Sequence, residues 1–325
     1  MRDVAAMAHV SAMTVSRVLH NDPRITEMTK QRVLNAIEEL GYRRDETARN
    51  LRLGRSAGLI GLVVPNLANP FYSQFALGAG ETAEKFGINL VLANTAEDPR
   101  REIRLVDDLI SRRVDGLIVV PADNDHRHLD PVKLHHLPLV LAARPPVGVE
   151  ADCVLVDDFG GTREAIRLLI ARGHTKIGFL GLPPSAYTGA ERLRGFRAAM
   201  DEAGLPVDEQ YVHYHQRDIA TAEQATRALL ALPDPPTALF SANSRNTIGT
   251  IRAVNNTGAS TVLAGFDDFE LADMLGLPLI VVAYDPGDVG QRAANLLIDR
   301  LNEDDNPSPP RRGVVPTSVV EYGDQ

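Results

Sequence analysis

V-S-A-M-T-V-S-R-V-L, residues 10–19, decides how the first sixty residues fold. Val15, Val18 and Leu19 recur at helical spacing, as do Val4, Ala5 and Ala8 upstream, so residues 3–8 and 12–20 read as two short helices. The three-residue break between them places Ser11 where its hydroxyl can accept an amide hydrogen from the next turn and cap the second helix. A third helix is expected from Thr26 or Thr29 to Leu40, with Val33, Ala36, Ile37 and Leu40 on one stripe and Gly41 placed to end it. Three such helices bury a small common core.

The polar residues say what that core is for. With Val15, Val18 and Leu19 turned inward, Ala12, Met13, Ser16 and Arg17 face outward near the start of the second helix, where a recognition helix meets base edges. Arg17 can pair bidentately with guanine, Met13 or Ala12 can touch a thymine methyl, and Thr14 and Ser16 suit phosphate or base edges. Ser11 and Arg24 complete the candidate DNA-facing set of this segment. The competing reading is a generic helical bundle with Arg17 as a solvated surface residue. Charge separates the two ends of the chain: residues 1–55 hold 10 Lys+Arg against 7 Asp+Glu, a net +3. The chain totals are 34 and 43, so the remainder carries 24 against 36, a net −12, and the two parts are expected to have different partners.

Beyond residue 57, apolar runs alternate with amphipathic stretches. G-L-I-G-L-V-V-P (58–65), N-L-V-L-A-N-T (89–95), D-G-L-I-V-V-P (115–121) and L-P-L-V-L-A-A-R (137–144) read as buried strands, with helices near 71–86 and 100–112. Buried strands alternating with helices predict a parallel sheet covered on both faces. The pattern restarts after C-V-L-V-D-D (153–158), with strands near 176–181, 237–243, 261–268 and 279–285, so a second α/β unit of similar size follows. The stretch 302–313 reads as an exposed loop before a last strand at 315–322.

These motifs carry a resemblance. The run 10–19, preceded by D-V-A (3–5) and followed by V-L-N-A-I-E-E-L-G-Y (33–42), resembles the lac repressor family of bacterial transcription regulators. A-R-N-L-R (48–52) is similar to that family's hinge helix, and Leu51 occupies the position of the leucine that enters the DNA minor groove. An apolar wedge can unstack a base step and bend the duplex, while Arg49 and Arg52, beside Ala48, meet the flanking phosphates. Residues 45–53 are fewer than the ~12–15 that sustain an isolated helix in water, so folding there is expected on DNA or on a partner hinge. Only Met1 and Arg2 precede Asp3, and Arg43, Arg44 and Asp45 stand where the family commonly has a proline, which predicts a looser hinge entry.

The resemblance continues through N-P-F-Y (69–72), R-R-V-D-G-L-I (112–118), R-L-R-G-F (192–196), P-T-A-L-F-S-A-N (236–243) and G-F-D-D (265–268), and covers essentially the whole chain. It implies an α/β fold class: a small all-α helix-turn-helix head at 1–43, a hinge and linker at 44–56, and a two-lobed periplasmic-binding-protein-like core with parallel sheets at 57–325. The lobes are expected at 57–158 with 286–314, and at 159–285 with 315–325. Ligands of such sheets bind beyond the carboxyl ends of the strands. Phe71 and Tyr72 fall there and can stack on a sugar ring or base; Arg192, Asn243 and Asp267 match family effector positions, and Arg144 and Thr188 are weaker candidates. A guanidinium fork, an amide and a carboxylate suit a polyhydroxylated ligand. Ala143, Ser244 and Tyr284 replace an aspartate, an aspartate and a glutamine common in the family, which predicts an effector smaller or less hydroxylated than a typical sugar.

Other classes fare worse. No phosphate-binding loop, nucleophile elbow or H-E-x-x-H zinc motif occurs, so an enzyme is not expected. The single Cys153 forms no intramolecular disulfide and fits a reducing compartment. His126, His128, His135 and His136, with Asp125 nearby, lack cysteine partners and read as a solvated face rather than a zinc site, so neither metal nor cofactor is expected. No apolar run reaches ~18 residues and no secretory pattern opens the chain, hence the expectation of a cytoplasmic protein off the membrane and the case against a periplasmic transport receptor. The expected function is a regulator, most simply a repressor, acting as a homodimer on palindromic operator DNA under control of a small-molecule effector such as a carbohydrate. No terminal heptad zipper is read, which favours a dimer. The alternative is a two-lobed small-molecule-binding protein without DNA binding, the outcome if the short N-terminus disables the head.

Overall fold

The structure is a computed structural model that describes residues 1–19, 22–41, 57–216, 218–303 and 308–323. The chain divides into two compact units, Met1–Ala57 and Gly58–Gln325. In the first, α1 (Arg2–Met7), α2 (Ala12–Leu19) and α3 (Glu27–Glu39) surround Val4, Ala5, Ala8, Val15, Val18, Val33 and Ala36. Thr26 caps α3 by accepting from the Thr29 amide, and Arg32 Nη2 donates to the Ala8 carbonyl at 2.9 Å, fastening α3 to the end of α1. Leu40 departs from the expected stripe. Because α3 stops at Glu39 and Gly41 turns the chain at φ +56°, Leu40 is a cap residue 40% exposed, beyond the reach of the core.

The second unit is built on two six-stranded sheets. The first contains β1 (Leu59–Val64), β2 (Asn89–Asn94), β3 (Gly116–Val119), β4 (Leu139–Ala142), β5 (Asp152–Val156) and β11 (Arg312–Val315), in the order β11-β5-β4-β3-β1-β2 and wholly parallel. The second contains β6 (Ile177–Leu180), β7 (Val212–His213), β8 (Ala238–Ser241), β9 (Val262–Phe266), β10 (Leu279–Ala283) and β12 (Ser318–Tyr322), in the order β12-β10-β9-β8-β6-β7. Parallel neighbours need helical crossovers, and the helices cover both faces. On the first sheet Val63, Leu117 and Leu141 pack with Val106 and Leu109 of α5 (Pro99–Ser111). Ile60, Leu62 and Ile118 point the other way, toward Phe75 and Ala79 of α4 (Pro70–Lys85) and Ala293 and Leu297 of α10 (Pro286–Leu301). The second sheet repeats this arrangement with α8 (Ile219–Leu230) and α9 (Ser244–Thr257) on one face, and α6 (Asp158–Ala171) and α7 (Tyr187–Glu202) on the other.

α4 and α10 approach so closely that a Cβ at Gly290 would collide with the Phe75 carbonyl oxygen, and one at Gly78 with that of Gly287. That contact explains why a helix following β10 of the second sheet belongs to the first. The chain passes between the sheets after β5, after β10 and after β11.

The last passage corrects the expected tail. Instead of one strand at 315–322, β11 begins at Arg312 and pairs with β5, and β12 runs antiparallel to β10 in the other sheet. Pro316 has no amide hydrogen to continue the first ladder, and a strand entering without a helical crossover is free to pair antiparallel. Buried Asp152 anchors the incoming segment: it accepts from the Arg311 amide at 2.7 Å and from both Arg300 and Arg311 guanidiniums.

Candidate functional site

In the first unit, α2 presents Ala12, Met13 and Arg17 to solvent, with Met13 65% exposed, and holds Thr14 and Ser16 half-buried. Ser11 Oγ accepts from the Thr14 amide at 3.1 Å and lies 2.9 Å from Thr14 Oγ1, so the cap expected from sequence engages both hydroxyls. Arg24 forks onto Asp22 through Nε at 2.9 Å and Nη2 at 2.7 Å, and these bonds hold the Asp22 carboxyl well below the usual range. Arg17 Nε stands 3.9 Å from the same carboxylate, with the side chain 48% exposed. Ala48, Arg49, Leu51 and Arg52 lie outside the described residues.

In the second unit a cavity of about 230 Å³ opens where the carboxyl ends of the two sheets face one another. Phe71, Tyr72, Arg144, Thr188, Arg192, Asn243 and Asp267 all line it. Thr188 and Arg192 come from α7, and the other five from strand ends: Asn69 and Pro70 start α4 after β1, with Asn69 Oδ1 accepting from the Phe71 amide at 3.0 Å. Arg144 follows β4, Asp267 follows β9 at φ +68°, and Asn243 follows β8. Asn243 Oδ1 caps α9 by accepting from the Asn246 amide at 2.9 Å, leaving the amide NH₂ for the cavity. Phe71 is buried and stacked on Phe75 at 5.9 Å, so it shapes the cavity from behind while half-buried Tyr72 supplies the accessible ring.

Arg192 organises the floor. Its Nε donates to Asp158 Oδ1 at 2.7 Å, Nη1 to the Ala242 carbonyl, and Nη2 reaches Asp267 Oδ1 at 3.5 Å, with the guanidinium 3.6 Å above the Phe266 ring. Burial opposes the Arg192 charge, yet Asp267 and Asp158 outweigh it and raise its pKa. Asp158 is pushed up to about 6 by burial against the pull of Arg192, and its Oδ2 has no hydrogen-bond partner among the described residues. Tyr284 donates its hydroxyl to Asp267 Oδ1 at 2.9 Å and narrows the cavity from the second crossing. Burial and the Asp267 charge hold its proton on, raising its pKa well above the ordinary tyrosine value.

Two bonds span the cavity between the sheets. Arg245 Nη1 donates to the Ala68 carbonyl at 3.0 Å, and Asn124 Nδ2 to the Ser185 carbonyl. Sequence reasoning missed Asp158, Arg245 and Asn124 as lining residues. The first two were within reach, since Asp158 follows β5 and Arg245 lies two residues past Asn243, at strand ends like most of the rest. Asn124 gave no signal, because its partner comes from a loop that only the lobe arrangement brings near.

The histidine cluster is not a solvated face. His126 is 1% exposed, with Nε2 2.8 Å from the Asp123 carbonyl and Nδ1 accepting from the Val147 amide, while half-buried His128 places Nε2 2.8 Å from Glu102 Oε1. Glu102 Oε2 accepts from the Ala122 amide at 2.6 Å, so these side chains brace the loop after β3 that lines the cavity. His135 and His136 are exposed, as expected. These two escaped the sequence because Val147 and Glu102, which hold His126 and His128, lie 21 and 26 positions away in opposite directions.

The chain thus carries a helix-turn-helix unit and, in the second unit, two largely parallel α/β lobes around a polar cleft. Residues 1–45 match the model of the bacterial regulatory proteins of the lacI family, and residues 57–312 that of the periplasmic binding proteins and sugar binding domain of the LacI family. The chain belongs to the LacI family of transcriptional regulators. Among its relatives is the HTH-type transcriptional regulator DegA of Bacillus subtilis (strain 168), 32% identical over 295 residues, spanning 89% of this chain and 87% of that protein. The transcriptional regulator CelR in complex with cellobiose is 29% identical with a TM-score of 0.75, over 99% of this chain and 98% of CelR. The lac repressor dimer bound to operator shares the fold at a TM-score of 0.82 and 24% identity, over 98% and 96% of the two chains.

Proposed function

We propose that the protein is a cytoplasmic, non-enzymatic, effector-controlled repressor that works as a homodimer. Residues 1–43 form the DNA-binding head, 44–56 the hinge, and the rest the effector-binding and dimerisation core, with lobes at 57–158 plus 286–314 and 159–285 plus 315–325. Two α2 helices read successive major-groove half-sites of a palindromic operator through Arg17, Met13 and Ala12, with Leu51 of each hinge in the central minor groove. The effector, of carbohydrate type, binds between the lobes.

The observation that carries this reading is the convergence of all seven candidate residues on one cavity that draws its lining from both sheets. A ligand bridging the lobes changes their preferred orientation about the three chain passages that join the two sheets. Such coupling is typically worth about 1–3 kcal/mol, or roughly 5–150-fold in DNA affinity.

The test is selection of bound sites from a randomised palindromic DNA pool at fixed salt, followed by anisotropy titration with a panel of sugars and nucleosides. A symmetric site whose affinity shifts with one ligand is expected. Sequence-independent binding under all conditions refutes the repressor reading and leaves the two-lobed binding protein.

A further inference from the structure

The charged groups of the cavity divide into a satisfied floor and an unsatisfied mouth. On the floor, Arg192 is shared by Asp158 and Asp267. At the mouth, Arg144 donates one hydrogen bond to the Pro121 carbonyl and Arg245 one to the Ala68 carbonyl. Neither forms an ion pair among the described residues, both are half-buried, and Arg245 Nε is buried without any partner. The carboxylates near them are differently placed. Glu97, Asp123 and Asp218, the last near enough to Arg245 to feel its charge, are exposed, where solvent screens them, and each already accepts a local hydrogen bond, from Asn66 Nδ2, the Asn124 amide and the Thr221 amide respectively.

A guanidinium carries five donors and keeps its charge under all physiological conditions, so burying one against a single neutral carbonyl leaves most of its capacity unused. The partner that best matches a planar donor fork is a carboxylate or a phosphate. The floor makes the opposite demand. Asp158 Oδ2 lacks a donor, and the two carboxylates there share one cation, which suits ligand hydroxyls and repels an anion.

We propose that the effector is an anionic polyol, a sugar phosphate or a sugar acid, with hydroxyls on the Asp158–Asp267 floor and its anionic group held by Arg144 and Arg245. The proposal rests on the effector-cleft reading given above and narrows its ligand class. Arg245 then has two tasks: it recognises the anion and, through Ala68, links the lobe that carries it to the other. Occupancy of the mouth thus bears directly on lobe closure.

Isothermal titration of the full chain with two matched sets tests this: glucose, glucose 6-phosphate and glucuronate, and ribose with ribose 5-phosphate. At least one anionic member is expected to bind 10-fold or more tightly than its neutral parent, and the order of phosphate and carboxylate tells which anion the mouth takes. Arg245→Gln and Arg144→Gln should each remove most of that preference, weakening the anionic member at least 10-fold more than its neutral parent, and Arg245→Lys should retain part of it. Circular dichroism melts identify a variant that fails to fold, in which case the other arginine carries the test. Neutral sugars binding as tightly as their anionic partners overturn the proposal and leave the cleft reading intact. No binding by any member also overturns it, and the cleft reading is then decided separately by the operator titrations with nucleosides and other sugars.

Discussion

Arg192 Nε donates to Asp158 Oδ1 at 2.7 Å, and this bond fastens α7 to the first residue of α6, where the chain first passes between the two sheets. With Asp267 on the other side of the guanidinium, one cation holds two buried carboxylates together. Removing it leaves both without a counter-ion. Arg192→Ala is expected to destabilise the core by about 3–5 kcal/mol in urea unfolding, as breaking a buried pair usually does. Arg192→Lys, which keeps the charge and loses the fork, should fall between. A loss below about 1 kcal/mol for Arg192→Ala would show that solvent compensates the two carboxylates.

The Asp158 carboxyl gives a pH dependence of definite sign. Its folded-state pKa of about 6 lies above the ordinary carboxyl value of 3.8, so the folded state holds the proton more tightly than the unfolded chain. The associated stability is complete below about pH 4 and is lost as pH rises through about 6. Asp158→Asn has nothing to lose over that range. Its stability relative to wild type should therefore rise between pH 4 and pH 7, by at most about 3 kcal/mol for a shift of about two units. Urea midpoints of both proteins at matched pH values provide the measurement, and a pH-independent difference would place the titration elsewhere.

For the head, Arg17→Ala should cost about 1–3 kcal/mol on the selected operator and relax preference at one base pair. Anisotropy with single-substituted operators reads this directly. Unchanged preference would make Arg17 a phosphate contact. Leu51→Ala should weaken specific binding more than non-specific binding, because only the specific complex uses a bent central step. Equal loss on both DNAs would eliminate the wedge.

Much of this architecture was legible in advance because it follows from short-range pattern. The Val15, Val18 and Leu19 spacing turns Arg17 outward whatever the rest of the chain does, and Ser11 caps α2 through the Thr14 amide as its position requires. Strands such as Leu59–Val64 are apolar on both faces, which only a doubly covered sheet accommodates. The strand-end rule placed Tyr72 on the cavity, and the family resemblance placed Arg192, Asn243 and Asp267 there with it. Neither showed where local chemistry was already spent: the Asn243 carbonyl oxygen caps its own helix, and Asp267 receives the Tyr284 hydroxyl.

The sequence by itself determined the three-helix head, the alternation of buried strands with helices in the core, the separation of a basic head from an acidic core, and the residue types at each strand end, since all of these depend on neighbours along the chain. Only the tertiary structure decided which sheet each late strand joins, that His126 is buried against the Asp123 and Val147 backbone, and that Arg245 reaches the Ala68 carbonyl 177 positions away. Those outcomes depend on lobe packing around α4 and α10 and on the three chain passages. No periodicity encodes them, because the partners share a site in space and no spacing in the chain.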